Sequence, residues 1–187
     1  MKDIQEIGKH ILQELEKTVS STVDEQAQDL VQAILQASKI FVAGAGRSGL
    51  MVKAFAMRLM HIGFDVYVVG ETTTPNLDPE DMLIIASGSG ATESLIVMAQ
   101  KTKALGVRIS LVTIDGQSPI AQLADIVLTI PAPSPKIQKE TGFTSIQPMG
   151  SLFEQSLLLV LDAVILILME RQHKTSDIMF TKHANLE

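Results

Sequence analysis

Two short runs of glycine and hydroxyl residues are the parts of this sequence best suited to chemistry. Gly44-Ala45-Gly46-Arg47-Ser48-Gly49 and Ser87-Gly88-Ser89-Gly90-Ala91-Thr92-Glu93 each follow an apolar, β-branched run and lead into a helical pattern. Glycines let backbone N–H groups approach an anion, hydroxyls add donors, and the N-terminus of the following helix adds partial positive charge. Ser87, Ser89 and Thr92 can therefore meet one phosphate group from three sides. A plainer reading makes Ser89 or Thr92 a helix cap. The first run also matches GxGxxG, and Glu71 follows about 20 residues later, where a dinucleotide fold places its ribose ligand. Against a dinucleotide stand the arginine inside the turn and the long helical segment ahead of the strand. The second serine loop would also have no role beside a pyrophosphate.

These runs need elements to position them. Ile4, Ile7, Ile11, Leu15 and Val19 recur at helical spacing over residues 3–20. Thr22 and Glu25 have capping-box spacing ahead of a second amphipathic stretch with Ala27, Leu30, Val31, Ile34 and Leu35. Short runs at Lys39–Gly44, Phe64–Gly70, Met82–Ser87, Val107–Ile114 and Asp125–Pro131 then read as strands. They are apolar at nearly every position, as expected when both faces of a parallel sheet are covered. Helical patterns at Leu50–His61 and Glu93–Leu105 alternate with them, and Ser118-Pro119 reads as the opening of another short helix. The connection Glu71–Asp81 is turn-rich and shows no helical pattern. The expected fold is α/β: a doubly wound, flavodoxin-like five-stranded parallel sheet with helices on both faces, preceded by two N-terminal helices. Residues 1–187 form a single domain: N-terminal helices (1–38), α/β core (39–131), loop (132–148), final helix (149–172) and C-terminal tail (173–187). The proline-rich loop is expected to be ordered over a site. The final helix is apolar almost all round, which suits the centre of the fold or of an oligomer interface.

Composition narrows the functions open to the chain. With 187 residues it can bury a full core without staples. It has no cysteine, which removes disulfides, thiolate metal sites and cysteine nucleophiles together. Fifteen basic against twenty-one acidic residues give a formal charge of −6, and no basic stripe marks a nucleic-acid partner. Lys2, Asp3, Glu6, Lys9 and His10 interrupt any signal-like core at the N-terminus. The apolar stretch Ser156–Met169 is short for a bilayer and carries Asp162, so no membrane partner is expected and a cytoplasmic location is. Only 19% of residues are charged, which points to surface buried between subunits. A homo-oligomer, dimer or tetramer, is expected.

GAGRSG after the first strand and SGSGATES after the third resemble the paired loops of the sugar isomerase (SIS) domain family. Ser145-Ile-Gln-Pro-Met-Gly-Ser-Leu-Phe-Glu-Gln155 and the terminal His183-Ala-Asn-Leu-Glu187 are similar to its 6-phospho-3-hexuloisomerase branch, with Lys182 where that branch has arginine. The resemblance covers the whole chain. It implies a phosphosugar ketol-isomerase that converts 3-hexulose 6-phosphate to fructose 6-phosphate through an enediol, in the ribulose monophosphate route of formaldehyde fixation. It implies no metal and no cofactor. Ser48, Ser87, Ser89 and Thr92 would hold the phosphate, with Gly46, Arg47, Gly88 and Gly90 contacting the substrate. Glu154 would be the catalytic base and His183 a second acid/base, in sites shared between subunits. A 3-hexulose-6-phosphate synthase would be the pathway neighbour.

Several of these residues keep a plainer reading. Ser151-x-x-Glu154 also has capping-box spacing. His183 lies in a polar tail, where fraying is ordinary. Arg47 suits either a phosphate or sugar contact or a structural ion pair across the subunit boundary, while His10, His61 and His173 are assigned to helix surface or packing. The same scaffold can serve as a phosphosugar sensor that binds without turnover, and such a module needs the serine loops but neither Glu154 nor His183. A nucleotide-binding reductase is the third reading, and it depends on Glu71 meeting a ribose.

Overall fold

The computed structural model describes residues 3–135 and 144–186. Helices α1 (Ile4–Ser20) and α2 (Asp24–Gln36) precede β1 (Ile40–Gly44), α3 (Gly46–Ile62), β2 (Val66–Val68) and β3 (Met82–Ala86). Then come α4 (Glu93–Ala104), β4 (Arg108–Thr113), β5 (Ile126–Thr129), α5 (Ser151–Arg171) and α6 (Ser176–Phe180). The strands form one parallel sheet in the order β2-β1-β3-β4-β5. This is the expected flavodoxin-like arrangement after two N-terminal helices.

Alternation along the strands sorts the core into two layers. Ile40, Val42, Met82, Ile84 and Val112 face α2, α3 and α5 on one side. Phe41, Ala43, Leu83, Ile85, Ile109 and Leu111 face α4 and the 120–121 turn on the other. Because both sets are buried, the central strands read as continuous apolar runs. Helix α5 is long and apolar enough to cross a membrane by length and composition, and it exceeds the stretch expected from sequence. It is a core helix, however: Phe153, Leu157, Leu161, Val164 and Leu168 are buried in the layer shared with α2 and α3. Each such side chain contributes about 1.5–3 kcal/mol of burial free energy. Asp162 lies on its exposed side, so it needs no buried partner.

Local details depart from the sequence expectations. Helix α3 begins at Gly46 rather than Leu50, so most of the first glycine run is a helical turn and not a loop. Thr22 does not cap α2; its hydroxyl donates back to the Thr18 carbonyl at 3.4 Å, and the N-cap is Val23 with no side-chain bond. The stretch from Ser118 to Ala124 makes turns instead of a helix, with the Gln122 N–H donating to the Ser118 carbonyl at 3.1 Å. Proline at position 119 permits one helical turn there, and the start of β5 leaves no room for a second. Strand β2 keeps only three residues, all half-buried at the sheet edge. The tail contains the short helix α6, capped by the Thr175 hydroxyl accepting from the Ile178 N–H. Residues 136–143 of the expected loop and Glu187 of the closing motif lie outside the described residues.

Candidate active site

In an open parallel sheet, ligands bind beyond the carboxyl ends of the strands where the winding reverses. Here that point falls between β1 and β3, which pair with Gly44 opposite Ala86. The chain leaves β1 through α3 towards β2, and leaves β3 through α4 towards β4. Both glycine-serine runs therefore flank one crevice. Among the described residues, the N–H groups of Gly46, Arg47 and Ser48 on one side meet no backbone acceptor, and neither do those of Ser89, Thr92, Glu93 and Ser94 on the other. Two fans of free donors at helix N-termini suit an anion carrying several oxygens.

The serine loop is fastened from behind. The Gly88 carbonyl accepts from the Ile114 N–H at 3.0 Å and the Thr113 hydroxyl at 3.1 Å, and the Gly90 carbonyl accepts from the Ile120 N–H at 3.0 Å. Gly90 has φ +58° and presses against Ser118, where no side chain could fit. Ser87 is buried, with its hydroxyl 3.4 Å from that of Thr92, while the Ser89 hydroxyl accepts from the Ala91 N–H at 3.3 Å. Thr92 is the N-cap residue of α4 but its side chain makes no cap bond. That hydroxyl faces the Ser87 hydroxyl instead of the helix.

The first run approaches from β1. A Cβ on Gly49 would sit 2.7 Å from the Gly44 carbonyl oxygen, so these glycines let α3 abut the strand end. Ser48 is buried beside them. The close approach explains the glycine spacing without a pyrophosphate. Glu71, the residue a ribose would need, is engaged by the Lys53 ammonium at 2.9 Å.

Glu154 stands in the first turn of α5, with its side chain 18% exposed. The Arg47 guanidinium Nη1 lies 3.0 Å from its Oε2 and donates to the Ser151 hydroxyl at 2.8 Å. The N-cap of α5 is Gly150 and no side chain caps the helix, so the Glu154 carboxylate is not tied up in a capping box. Phe153 ties this turn to the serine loop: a Cβ on Gly88 would lie 3.1 Å from its ring. Ser151 and Phe153 were not among the expected site residues. The only signal for them was their place in the run around Glu154.

His183 is not brought to this crevice within one chain. Its ring stacks on His61 at 5.7 Å and on Phe180 at 5.8 Å. His61 lies in the last turn of α3, fourteen residues and about 21 Å along the helix axis from Arg47. Burial, followed by the positive charge of Arg58 and of His183, holds the His61 imidazole below its ordinary pKa. A cavity of about 490 Å³ opens beside these rings, between α3, α5 and α6. Among the described residues, no group of three or more His, Asp or Glu side chains could hold a metal ion.

The reversed winding, with two glycine-serine helix starts at the switch point and the Arg47–Glu154 pair beside the first, defines a doubly wound α/β domain whose crevice suits an anion. The SIS domain pattern matches residues 33–159, and the chain belongs to the SIS domain family. It is 52% identical over 177 residues to a 3-hexulose-6-phosphate isomerase of Bacillus subtilis (strain 168), covering 95% of each chain. It is 43% identical to a protein of the same name from Mycobacterium gastri, covering 93% of this chain and 86% of that one. A solved structure from Methanococcus jannaschii, described as inferring a molecular function of 3-hexulose-6-phosphate isomerase, superposes with a TM-score of 0.81. It is 35% identical, and the match covers 97% of each chain.

Proposed function

We propose that the chain is a phosphosugar isomerase that interconverts 3-hexulose 6-phosphate and fructose 6-phosphate, a step of the ribulose monophosphate route. The observation that carries this reading is the Glu154 carboxylate, paired with Arg47 and packed through Phe153 against a serine loop built for an anion. Relatives named for this activity support the choice of sugar.

Moving the carbonyl from C3 to C2 requires a base that takes the C2 proton and returns it at C3. Glu154 is assigned that role. Between the two steps the substrate is an enediol, and the proton on the C2 hydroxyl passes to the C3 oxygen. Ser87, Ser89, Thr92 and Ser48 hold the phosphate, aided by the free N–H groups of the two helix starts. The peptide groups at Gly46, Gly88 and Gly90 lie along the same crevice. Anchoring the far end of the sugar orients C2 and C3 against the carboxylate and converts binding energy into rate. A 3-ketose phosphorylated on its 6-oxygen cannot close a five- or six-membered ring, so the substrate arrives open.

A second acid/base must relay the oxygen-bound proton, and a histidine titrates in the right range. His183 fills this role only if it comes from a neighbouring subunit, because its own crevice is too distant. Exposed Leu50, Met57, Leu159 and Leu166 on α3 and α5 offer apolar surface for a dimer or tetramer. We place this assembly in the cytoplasm, supplied by a hexulose-phosphate synthase. Mixed oligomers of Glu154→Gln and His183→Ala would regain turnover if sites are shared, and stay inactive if they are not.

The decisive assay follows 3-hexulose 6-phosphate to fructose 6-phosphate by coupled formation of glucose 6-phosphate. Turnover is expected in the parent protein and lost in Glu154→Gln, since glutamine keeps the shape but cannot take the proton. A folded, active glutamine variant would refute the base assignment. Absence of turnover, with the sugar still raising the melting temperature, would leave a sensor.

A further inference from the structure

The geometry points to Glu14, on α1, as a positioning residue for Glu154, acting through the segment that leads into α5. This inference rests on the reading of Glu154 as the base. One carboxylate holds three consecutive residues of that segment. The Ser145 hydroxyl donates to Glu14 Oε2 at 2.7 Å, the Ile146 N–H to Oε1 at 2.7 Å, and the Gln147 amide to Oε2 at 3.0 Å. The Ser145 hydroxyl in turn accepts the Gln147 N–H at 3.0 Å. Among the described residues, no other side chain is bonded to 145–147.

The tie matters because the turn beyond it is strained. Met149 lies in the left-handed region with φ +58°, and Gly150 is the N-cap of α5. That conformation costs an L residue other than glycine about 1–2 kcal/mol, so this turn does not hold itself. It is held from one side by Glu14 and from the other by Arg47, which grips Ser151 and Glu154. Helix α1 is well placed to act as the fixed post. It packs along α5, and its Leu15 and Val19 join the core layer that α5 fills. The post is therefore packed against the helix bearing Glu154, and the bonds to 145–147 set where that helix begins.

Charge on Glu14 fits this role. Burial pushes its carboxyl pKa up, but the bonds from Gln147, Ser145 and the Ile146 N–H, with the charge of His10, outweigh burial and hold it below the ordinary value. Hydrogen bonds to an ionised acceptor are the strong ones. Glu14 itself touches no reacting atom. Its contribution is to the placement of the base, where a misplacement of about 1 Å can cost on the order of a hundredfold in rate.

Steady-state kinetics with 3-hexulose 6-phosphate test this. Glu14→Ala is expected to lower kcat by on the order of tenfold or more while KM stays within about threefold, because the phosphate loop is untouched. Glu14→Gln keeps one acceptor oxygen and should fall between parent and alanine. Adding Gln147→Ala to Glu14→Ala should cost nothing further, since both remove the same tie. If Glu14→Ala does not fold, the Ser145→Ala/Gln147→Ala pair carries the same expectation. A kcat within about twofold of the parent, a KM that rises as much as kcat falls, or full additivity of the two substitutions would overturn the inference. Turnover retained in Glu154→Gln would instead sink the base assignment, and the inference with it; a dead Glu154→Gln beside a fully active Glu14→Ala would sink the inference alone.

Discussion

Gly90 combines a left-handed torsion with a filled neighbourhood in the serine loop, and Gly90→Ala separates two physical costs. The first is torsional: φ +58° costs an alanine about 1–2 kcal/mol. The second is steric, because its Cβ would overlap the Ser118 side chain and come within 3.2 Å of the Thr113 hydroxyl. Forcing a methyl into filled space costs about 1–3 kcal/mol, so the total expected is about 2–5 kcal/mol. Ser118→Gly opens the space without touching the torsion. It has a cost of its own, about 1 kcal/mol, for the hydroxyl that accepts the Ala121 N–H. The double variant should therefore be more stable than the sum of the single ones by about 1–3 kcal/mol. Urea unfolding at one fixed protein concentration measures all the species of this cycle. Substrate KM should rise in Gly90→Ala and recover in part in the double variant, because Gly90 bonds to Ser87 and Ile120 set the loop. A loss below about 0.5 kcal/mol for Gly90→Ala, or strict additivity with Ser118→Gly, would refute the argument.

Arg47→Lys retains the charge but not the planar group that serves Glu154 and Ser151 together, so turnover should fall on the order of tenfold. Its stability should change by less than about 1 kcal/mol, since the arginine is half exposed, and thermal melts alongside kinetics will show the split. Met149→Gly should stabilise by up to about 1 kcal/mol by relieving the left-handed turn, whereas Met149→Val should destabilise by a similar amount; urea midpoints compare them. His61 has a depressed pKa in the folded chain, so the unfolded chain takes up its proton first as pH falls. Its contribution is present above about pH 6.5 and lost as pH drops through the lower folded value. His61→Phe should flatten that acid-side slope in pH-dependent melts, and an unchanged slope would assign the effect to other groups.

The sheet was legible because its strands are buried on both faces and carry little but β-branched and apolar residues. The switch point followed from the order of the elements, and the Ser87 and Thr92 hydroxyls lie 3.4 Å apart there, while the Ser89 hydroxyl turns to the Ala91 N–H. What was not legible came from contacts between distant parts of the chain. Gly46 to Gly49 looked like a loop because glycine is a poor helix former, yet α3 starts there so that Gly49 can touch Gly44. Ser151-x-x-Glu154 carried the pattern of a capping box, and only the position of Arg47, over a hundred residues earlier, decides how that carboxylate is used. Glu14 gave no local signal at all, since its partners lie beyond the whole sheet.

The contacts that complete the fold are also those that compose the site. Helix α3 reaches the crevice only because Gly44 and Gly49 lack side chains, and that approach delivers Arg47 to α5. Helix α5 reaches it by laying Phe153, the residue before Glu154, on Gly88. A larger residue at position 44, 49 or 88 would therefore move a functional group as well as loosen the core. His183 has no such coupling: it is stacked at the other end of α3, on a surface with a cavity of its own. Packing within one chain fixes the two glycine-serine turns and the Glu154 carboxylate against each other, and leaves His183 apart from both.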